Sequence, residues 1–153
     1  MLVYSVKKAS RQEIYQHLQR VNKFFIPSLE YRVDIADFSD KIFNNAITFE
    51  AWDNENLIGL LSVYFNNTLH YHAFINNISI EEKHANSGIA TSLMSNCLKY
   101  GQNNNFKSVG LEVSTHNLIA IKLYENFGFQ IIEEFNDFFK MEKNYMEKKN
   151  AKA

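Results

Sequence analysis

Two stretches of this chain carry residue types at spacings that suit chemistry. The first is Ala85-Asn86-Ser87-Gly88, a run of small and polar residues that empties straight into the apolar-periodic segment Ile89-Ala90-Thr91 and beyond. A helix N-terminus leaves up to four amides without intrahelical partners and carries about half a positive charge. Small side chains at such an entrance let a phosphate reach those amides. The same residues also suit a plain turn that Gly88 relieves. The second stretch runs from Leu111 to Phe129. Asn117 stands at an expected helix N-cap and Tyr124 follows seven residues later. Two turns of helix put both side chains on one face. Glu112 sits on the strand before them, between Leu111 and Val113. It is either a solvent-facing carboxylate on the polar side of that strand or a group with work to do. Tyr124 is either a helix aromatic or a proton donor. Cys97, the one cysteine, falls on the apolar stripe of its helix and reads as a small buried hydrophobe, not a nucleophile.

The elements that must position these groups follow from periodicity and caps. Leu2 to Val6 alternates as a strand. Ser10 and Glu13 form a capping box ahead of Ile14, Leu18, Val21 and Phe25 at helical spacing. A second helix is expected after Asp34, with Ile35, Phe38 and Ile42 on one face. The connector between them, "FIPSLEYRV", is aromatic and polar. "AITFEAW" and "LIGLLSVYF" flank Asp53 to Asn56 as a hairpin, with Gly59 marking a bulge. "HYHAFINNISI" reads as a strand leading to the small-residue loop. Ile89, Ala90, Leu93, Met94, Cys97 and Leu98 stripe the next helix, which Gly101 is expected to stop. "FKSVGLEVS" is a strand, His116 to Phe127 a short helix stopped by Gly128, and "FQIIEE" and "FFKMEK" are closing strands. The resulting order β, α, α, β, β, β, α, β, α, β, β implies an α/β protein with a mixed sheet packed on helices.

Bulk properties narrow the classes. With 153 residues, 46% of them hydrophobic, the chain fits one domain with a core of its own, expected over residues 1–144, with a frayed Lys- and Glu-rich tail over 145–153. A formal net charge of −1 gives no general field for nucleic acid, and the aromatic residues lack an accompanying basic patch. No apolar run approaches the roughly 20 residues of a membrane span, and the first residues show no signal-peptide core. A lone cysteine forms no internal disulfide, so a reducing cytoplasm is the expected setting.

Taken together, Ala85-Asn86-Ser87-Gly88-Ile89-Ala90 and Leu111-Glu112-Val113, Asn117, Ala120, Leu123-Tyr124, Gly128-Phe129 resemble the GNAT family of acyl-CoA N-acyltransferases. The first segment is similar to that family's pyrophosphate loop, [Gln/Arg]-x-x-Gly-x-[Gly/Ala], with Ala85 in place of the usual Arg or Gln. The departure removes a side-chain contact and leaves the backbone amides. Lys83 and His84 are the neighbouring residues that would compensate. The resemblance covers nearly the whole chain, most specifically Asn77 to Phe129. It implies a mixed, centrally splayed sheet of about seven strands flanked by about four helices. It also implies acetyl-CoA as cosubstrate, with no metal. Ile78, Ser79 and Ile80 would pair with the pantetheine arm as an added strand would. Asn86, Ser87, Gly88, Ile89, Ala90 and Thr91 would hold the pyrophosphate, and Asn117 and Tyr124 would meet the pantetheine and the thioester. An acceptor amine would attack the thioester directly, backbone amides near Ile78 would stabilise the oxyanion, and Tyr124 would protonate the leaving thiolate. Glu112, twelve residues before Tyr124 as in family members that acetylate protein N-termini, is the first choice of general base. Glu81, His72, His116 or an ordered water chain are the others.

Acceptor choice in this family comes mainly from the first two helices and the late hairpin, which here offer Phe24, Phe25, Tyr31, Arg32, Phe135 and Phe138. Phe25, Tyr31, Arg32 and His72 are the expected substrate contacts. Aromatic rims with a few polar groups suit a small ring-shaped amine, and the connector and the "NAITFEAW" strand look similar to small acetyltransferases of surface-polysaccharide gene clusters. The resemblance therefore points to a small-molecule amine, an amino-sugar nucleotide in the first place. A protein N-terminus is the alternative acceptor, and a non-catalytic acyl-CoA sensor, suggested by Ala85, the alternative class. The expected assembly is a monomer or homodimer, with no nucleic-acid or membrane partner.

Overall fold

The computed structural model describes residues 1–145. Its elements are β1 (Leu2–Val6), α1 (Arg11–Val21), α2 (Ile35–Asn45), β2 (Ile47–Asp53), β3 (Asn56–Asn67), β4 (His72–Ile80), α3 (Ile89–Asn103), β5 (Ser108–Ser114), α4 (Leu118–Asn126), β6 (Gln130–Phe135) and β7 (Phe138–Asn144), with short 3-10 turns at Asn22–Phe24, Leu29–Tyr31 and Glu82–His84. The strands form one seven-stranded mixed sheet in the order β1-β2-β3-β4-β5-β7-β6. Strand and helix order match the expectation element by element. The parallel ladder between β4 and β5 runs from His72↔Ser108 to Ile75↔Leu111. Both strands continue past it, β4 to Ile80 and β5 to Ser114, as a splayed sheet requires. Residues 146–153, most of the expected frayed tail, lie outside the described residues. Among those described, no helix is long and apolar enough to cross a membrane.

The chain divides into two compact units. The first holds Met1–Val63 and Asn77–Cys97, and the second Tyr64–Asn76 and the residues from Leu98 on. In the first, the capping box forms as expected: Ser10 Oγ accepts the Glu13 amide at 3.1 Å and Glu13 Oε1 accepts the Ser10 amide at 2.9 Å. Asp34 caps α2 by accepting the Asp37 amide at 3.0 Å. α1 and α2 pack together and bury Ile14, Leu18, Val21 and Ile42, each burial stabilising by about 1.5–3 kcal/mol. The β2–β3 hairpin turns through Asn54 and Glu55, both left-handed, which suits the twist of the strands. Its register shifts between Ala51 and Trp52, opposite Gly59 and Leu57, so Gly59 marks the expected bulge. A Cβ on Gly59 would stand 3.0 Å from Ile80 and 3.1 Å from Ile89.

Glu50 is a structural carboxylate in this unit. It is fully buried and accepts the amides of Lys8 and Ala9 and the hydroxyls of Ser5 and Thr48, at 2.7–3.1 Å. Those bonds satisfy its lone pairs and fix the turn from β1 into α1.

In the second unit, β5 and β6 both pair antiparallel with β7. Asn136 and Asp137, both left-handed, close the β6–β7 hairpin. Phe65 packs on Tyr100 and Phe106 with ring centroids 5.1 and 4.9 Å apart. α3 does not stop at Gly101 as expected; it runs on to Asn103, and Asn105 takes the left-handed conformation beyond it. Gly101 answers a packing demand instead, because a Cβ there would lie 2.7 Å from Tyr145 Oη. That hydroxyl donates to Leu98 O at 2.8 Å, and the Tyr145 amide donates to Lys107 O at 2.8 Å.

Candidate active site

The first unit carries the small-residue loop. Glu81 N–H donates to Ile58 O at 2.8 Å, and His84 and Ala85 amides close the 3-10 turn onto Glu81 O and Glu82 O. Ser87 Oγ donates to His84 O. Asn86 and Gly88 are left-handed, with φ of 62° and 84°. An L side chain at Gly88 is disfavoured by its backbone, although a Cβ there would meet nothing within 4 Å. The first intrahelical bond of α3 is Ser92 N–H to Gly88 O at 3.0 Å. The amides of Ile89, Ala90 and Thr91 therefore precede the ladder. Asn86, Ser87, Gly88 and Thr91 are exposed, Ala90 half-buried and Ile89 buried. This is an open, turn-constrained helix entrance with three amides ahead of the helical ladder.

Close by, a cleft of about 240 Å³ is lined by Arg20, Asp53, Asn56, Ile58, Glu81, Lys83 and His84. Arg20 Nε bonds Glu81 Oε2 at 2.7 Å and its Nη2 bonds Leu57 O at 3.0 Å. Glu81 is thus engaged as an ion-pair partner. His84 Nε2 lies 3.6 Å from Asp53 Oδ2.

At the end of β4, Ile78 and Ile80 are half-buried, while Asn77 and Ser79 are buried on the opposite face. Ser79 contacts α1: its Oγ lies 2.9 Å from His17 Nε2, and His17 Nδ1 lies 3.1 Å from Leu57 O. A carbonyl only accepts, so Nδ1 carries the proton and Nε2 accepts the serine hydroxyl. His17 is fully buried, and desolvation holds its pKa down at about 4, so the ring is neutral near pH 7. Sequence reasoning passed over His17 and Asn77. The available signal was a polar residue on each of two otherwise apolar faces, Ile14-His17-Leu18 and Ile75-Asn77.

The expected acceptor contacts of this unit lie on its connector. Phe25 is half-buried, Arg32 is exposed, and Tyr31 is 78% exposed. Asn22 Oδ1 accepts the Glu30 amide at 2.8 Å, and Lys23 pairs with Glu30, tying the connector to itself. The Ile26–Pro27 peptide is cis.

The second unit carries the remaining expected residues. Asn117 caps α4, its Oδ1 accepting the Ala120 amide at 3.2 Å. Its side-chain NH₂ is the part left to donate elsewhere. Tyr124 is buried at 5% exposure, with its ring 6.0 Å from that of Phe129. Burial pushes its phenol pKa upward, so it stands as a neutral donor. Glu112 is exposed, between the buried Leu111 and Val113, and stands opposite Lys140 of β7. His72 Nδ1 lies 2.7 Å from Ser108 Oγ, and its ring covers Gly110, where a Cβ would lie 3.1 Å away. Ser108, Gly110 and Glu112 alternate onto one face of β5, so His72 and Glu112 belong to the same strand face. His116 is exposed. Gly88 and Gly128 both take positive φ at helix ends, the use to which glycine is suited there.

Cys97 is buried in the first unit, and desolvation drives its thiol pKa up, away from the thiolate that a nucleophile needs.

Known proteins share the fold of this chain. No curated protein sequence matches the chain. Solved structures do: PaiA N-acetyltransferase of Thermoplasma acidophilum in complex with coenzyme A is 18% identical with a TM-score of 0.77, covering 94% of this chain and 99% of its own. The ribosomal-protein-S18-alanine N-acetyltransferase of Escherichia coli is 17% identical with a TM-score of 0.77, covering 94% of each chain. A spermidine N-acetyltransferase SpeG chimera from Vibrio cholerae and hSSAT is 23% identical with a TM-score of 0.76, covering 96% and 98%. At such identities the likeness is one of fold. The pattern of the Acetyltransferase (GNAT) family matches residues 11–129, which takes in α1, the small-residue loop, Glu112, Asn117 and Tyr124, and the chain therefore belongs to the GNAT family of acetyltransferases.

Proposed function

We propose that this protein transfers an acetyl group from acetyl-CoA to the primary amine of a small molecule, an amino-sugar nucleotide in the first place, by direct attack and without an acetyl-enzyme. The observation that carries the reading is the helix entrance: left-handed Gly88 opening onto α3, with the Ile89–Thr91 amides ahead of the first intrahelical bond at Ser92. Acetyl-CoA supplies an activated thioester and a diphosphate handle. Asn86 to Thr91 bind that diphosphate through main-chain donors, and the backbone of Ile78, Ser79 and Ile80 pairs with the pantetheine arm. The Asn117 side-chain NH₂ donates to the same arm. The neutral Tyr124 phenol gives its proton to the departing sulfur as the C–S bond breaks. Burial that disfavours phenolate disfavours thiolate as well, which keeps the transfer near balance. Glu112 takes the proton that the amine releases when its nitrogen bonds the carbonyl carbon.

Phe25, Tyr31, Arg32 and His72 contact the acceptor. The exposed aromatic connector of the first unit supports a ring-shaped amine. The spacing from Glu112 to Tyr124 favours a second reading, a protein N-terminus as acceptor. Residues 1–144 act as one acetyltransferase domain, as a monomer or homodimer in the cytoplasm.

The test is thiol release from acetyl-CoA across UDP-glucosamine, an alanine-terminated tetrapeptide and spermidine. We expect the highest kcat/KM with the amino-sugar nucleotide. Preference for the peptide would select the second reading, and acetyl-CoA binding without turnover of any amine would leave a sensor.

A further inference from the structure

β1 stands at one end of the strand order and is paired on one side only, with β2. That pairing fixes which of its backbone groups are engaged. The Lys7 amide donates to Thr48 O at 2.9 Å, and the register from Leu2↔Asp53 to Val6↔Phe49 runs up to that pair without a shift. In an antiparallel ladder, hydrogen-bonded pairs alternate with pairs that exchange no bond. Val3 and Ser5 therefore bond β2 as Lys7 does, while Leu2, Tyr4 and Val6 aim their N–H and C=O groups out of the sheet edge. Among the described residues no strand pairs with these six groups. The side chains are open as well: Leu2, Val3, Tyr4 and Val6 are 43, 50, 37 and 42% exposed. The other edge strand, β6, is guarded. Its register shifts between Ile131 and Glu133, and Glu133 and Glu134 are exposed on it, both devices that keep an edge from pairing with another chain. Leu2 to Val6 has no bulge, no charge and no proline.

We propose that this edge is the contact between two copies of the chain, β1 pairing antiparallel with β1 of the second copy across a two-fold axis at Tyr4. Strand parity selects the register. Outward groups must meet outward groups, and a two-fold at Val3 or Ser5 would leave one of the three residues without a mate. At Tyr4 all three engage: Leu2 against Val6 of the second copy, Tyr4 against Tyr4, and Val6 against Leu2. Six main-chain hydrogen bonds form, and the contact closes on itself. Leu2, Tyr4 and Val6 share a strand face, so the same pairing sets six apolar side chains together, with the two tyrosines on the axis and no charge opposite a like charge. The strand ends are complementary. Asp53 stands opposite Leu2, so the Lys7–Lys8 end of each copy comes beside the Asp53–Glu55 end of the other. A five-residue strand is about 17 Å long, and an edge of that length covers less than the roughly 800 Å² per partner of a standard interface. The dimer is therefore reversible, with a Kd between about 1 and 100 µM.

The test is sedimentation equilibrium of the full chain from about 1 µM to about 1 mM. It reads mass and is independent of acetyl transfer, so its failure leaves the reading above untouched. We expect the mass to climb from the 17.9 kDa of one chain to twice that and stop. Tyr4→Lys, which sets two ammonium groups against each other on the axis, should raise the Kd at least tenfold. Tyr4→Pro should do the same, because it removes an outward N–H that bonds nothing in its own sheet. Leu2→Lys with Val6→Glu should keep the dimer, each lysine meeting a glutamate of the second copy, while Leu2→Lys with Val6→Lys should abolish it. Trp52 fluorescence in urea checks that each variant is folded. A one-chain mass for wild type throughout overturns the proposal and leaves the edge bare or to a strand of another protein. A dimer that Tyr4→Lys leaves intact overturns it too, as does a mass that climbs past two chains. Should both Tyr4 variants fail to fold, the two double variants decide, and equal Kd values for them overturn the proposal.

Discussion

A buried phenol is a proton donor before it is anything else. Tyr124 is desolvated, and its pKa is pushed up by that burial, so phenolate is disfavoured and the hydroxyl keeps its proton across the physiological range. If Tyr124 protonates the leaving sulfur, Tyr124→Phe should lower the single-turnover rate of thiol release by about 100-fold while the acetyl-CoA Kd changes less than twofold. An unchanged rate in that chemistry-limited measurement would remove Tyr124 as the acid. Asn117 and Tyr124 were legible in the sequence because caps and helix faces are local properties: an asparagine before an apolar run and a residue seven positions on define them. Glu112 was legible as a position only. The strand period places it on the side opposite Leu111 and Val113, and the structure shows it exposed, but a period of two does not distinguish a working carboxylate from a solvated one. His17, Ser79 and Asn77 were illegible as a group. His17 and Ser79 are 62 residues apart, and no local pattern encodes a pairing at that separation.

At the scale of elements, the caps read correctly because each needs only three or four neighbouring residues: Ser10 with Glu13, Asp34 with Asp37, Gly128 after α4. Gly101 misled for the converse reason. Its lack of a side chain is demanded by the Tyr145 ring against α3, a tertiary contact, so the helix passes through it to Asn103. Gly88 belongs to the first kind. Its φ of 84° is a backbone demand, and a β-branched residue there costs at least the roughly 1–2 kcal/mol of a left-handed L-residue. The loop can relieve that cost only by moving the amides of Ile89 to Thr91. Gly88→Val should therefore raise the acetyl-CoA Kd about tenfold or more in titration calorimetry. An equal Kd in the variant would take the loop out of diphosphate binding.

For the molecule as a whole, the division between the two units falls within β3, β4 and α3, which no composition shift in the sequence announces, because the units are not consecutive segments. The first unit holds the chain's one tryptophan, Trp52, whose Nε1 donates to Ser5 Oγ at 2.7 Å, so its fluorescence follows the unfolding of that unit. The same unit encloses His17, whose pKa falls from 6.5 to about 4, first through desolvation, with the Leu57 bond opposing and Arg20 reinforcing the fall. The sign follows from proton binding. Unfolded chains protonate this histidine below about pH 6.5, and the folded unit does so only below about 4. Stability is therefore fully present above pH 6.5 and drains away as pH falls toward 4, by about 3 kcal/mol in all. Carboxylates titrate in the same acid range, so the quantity to measure is a difference. Urea unfolding of wild type and His17→Gln, read by Trp52 fluorescence from pH 7.5 to 4, should give profiles that converge in acid, wild type losing about 3 kcal/mol more than the variant. Parallel profiles would mean that the imidazole is not held neutral against Ser79 and Leu57.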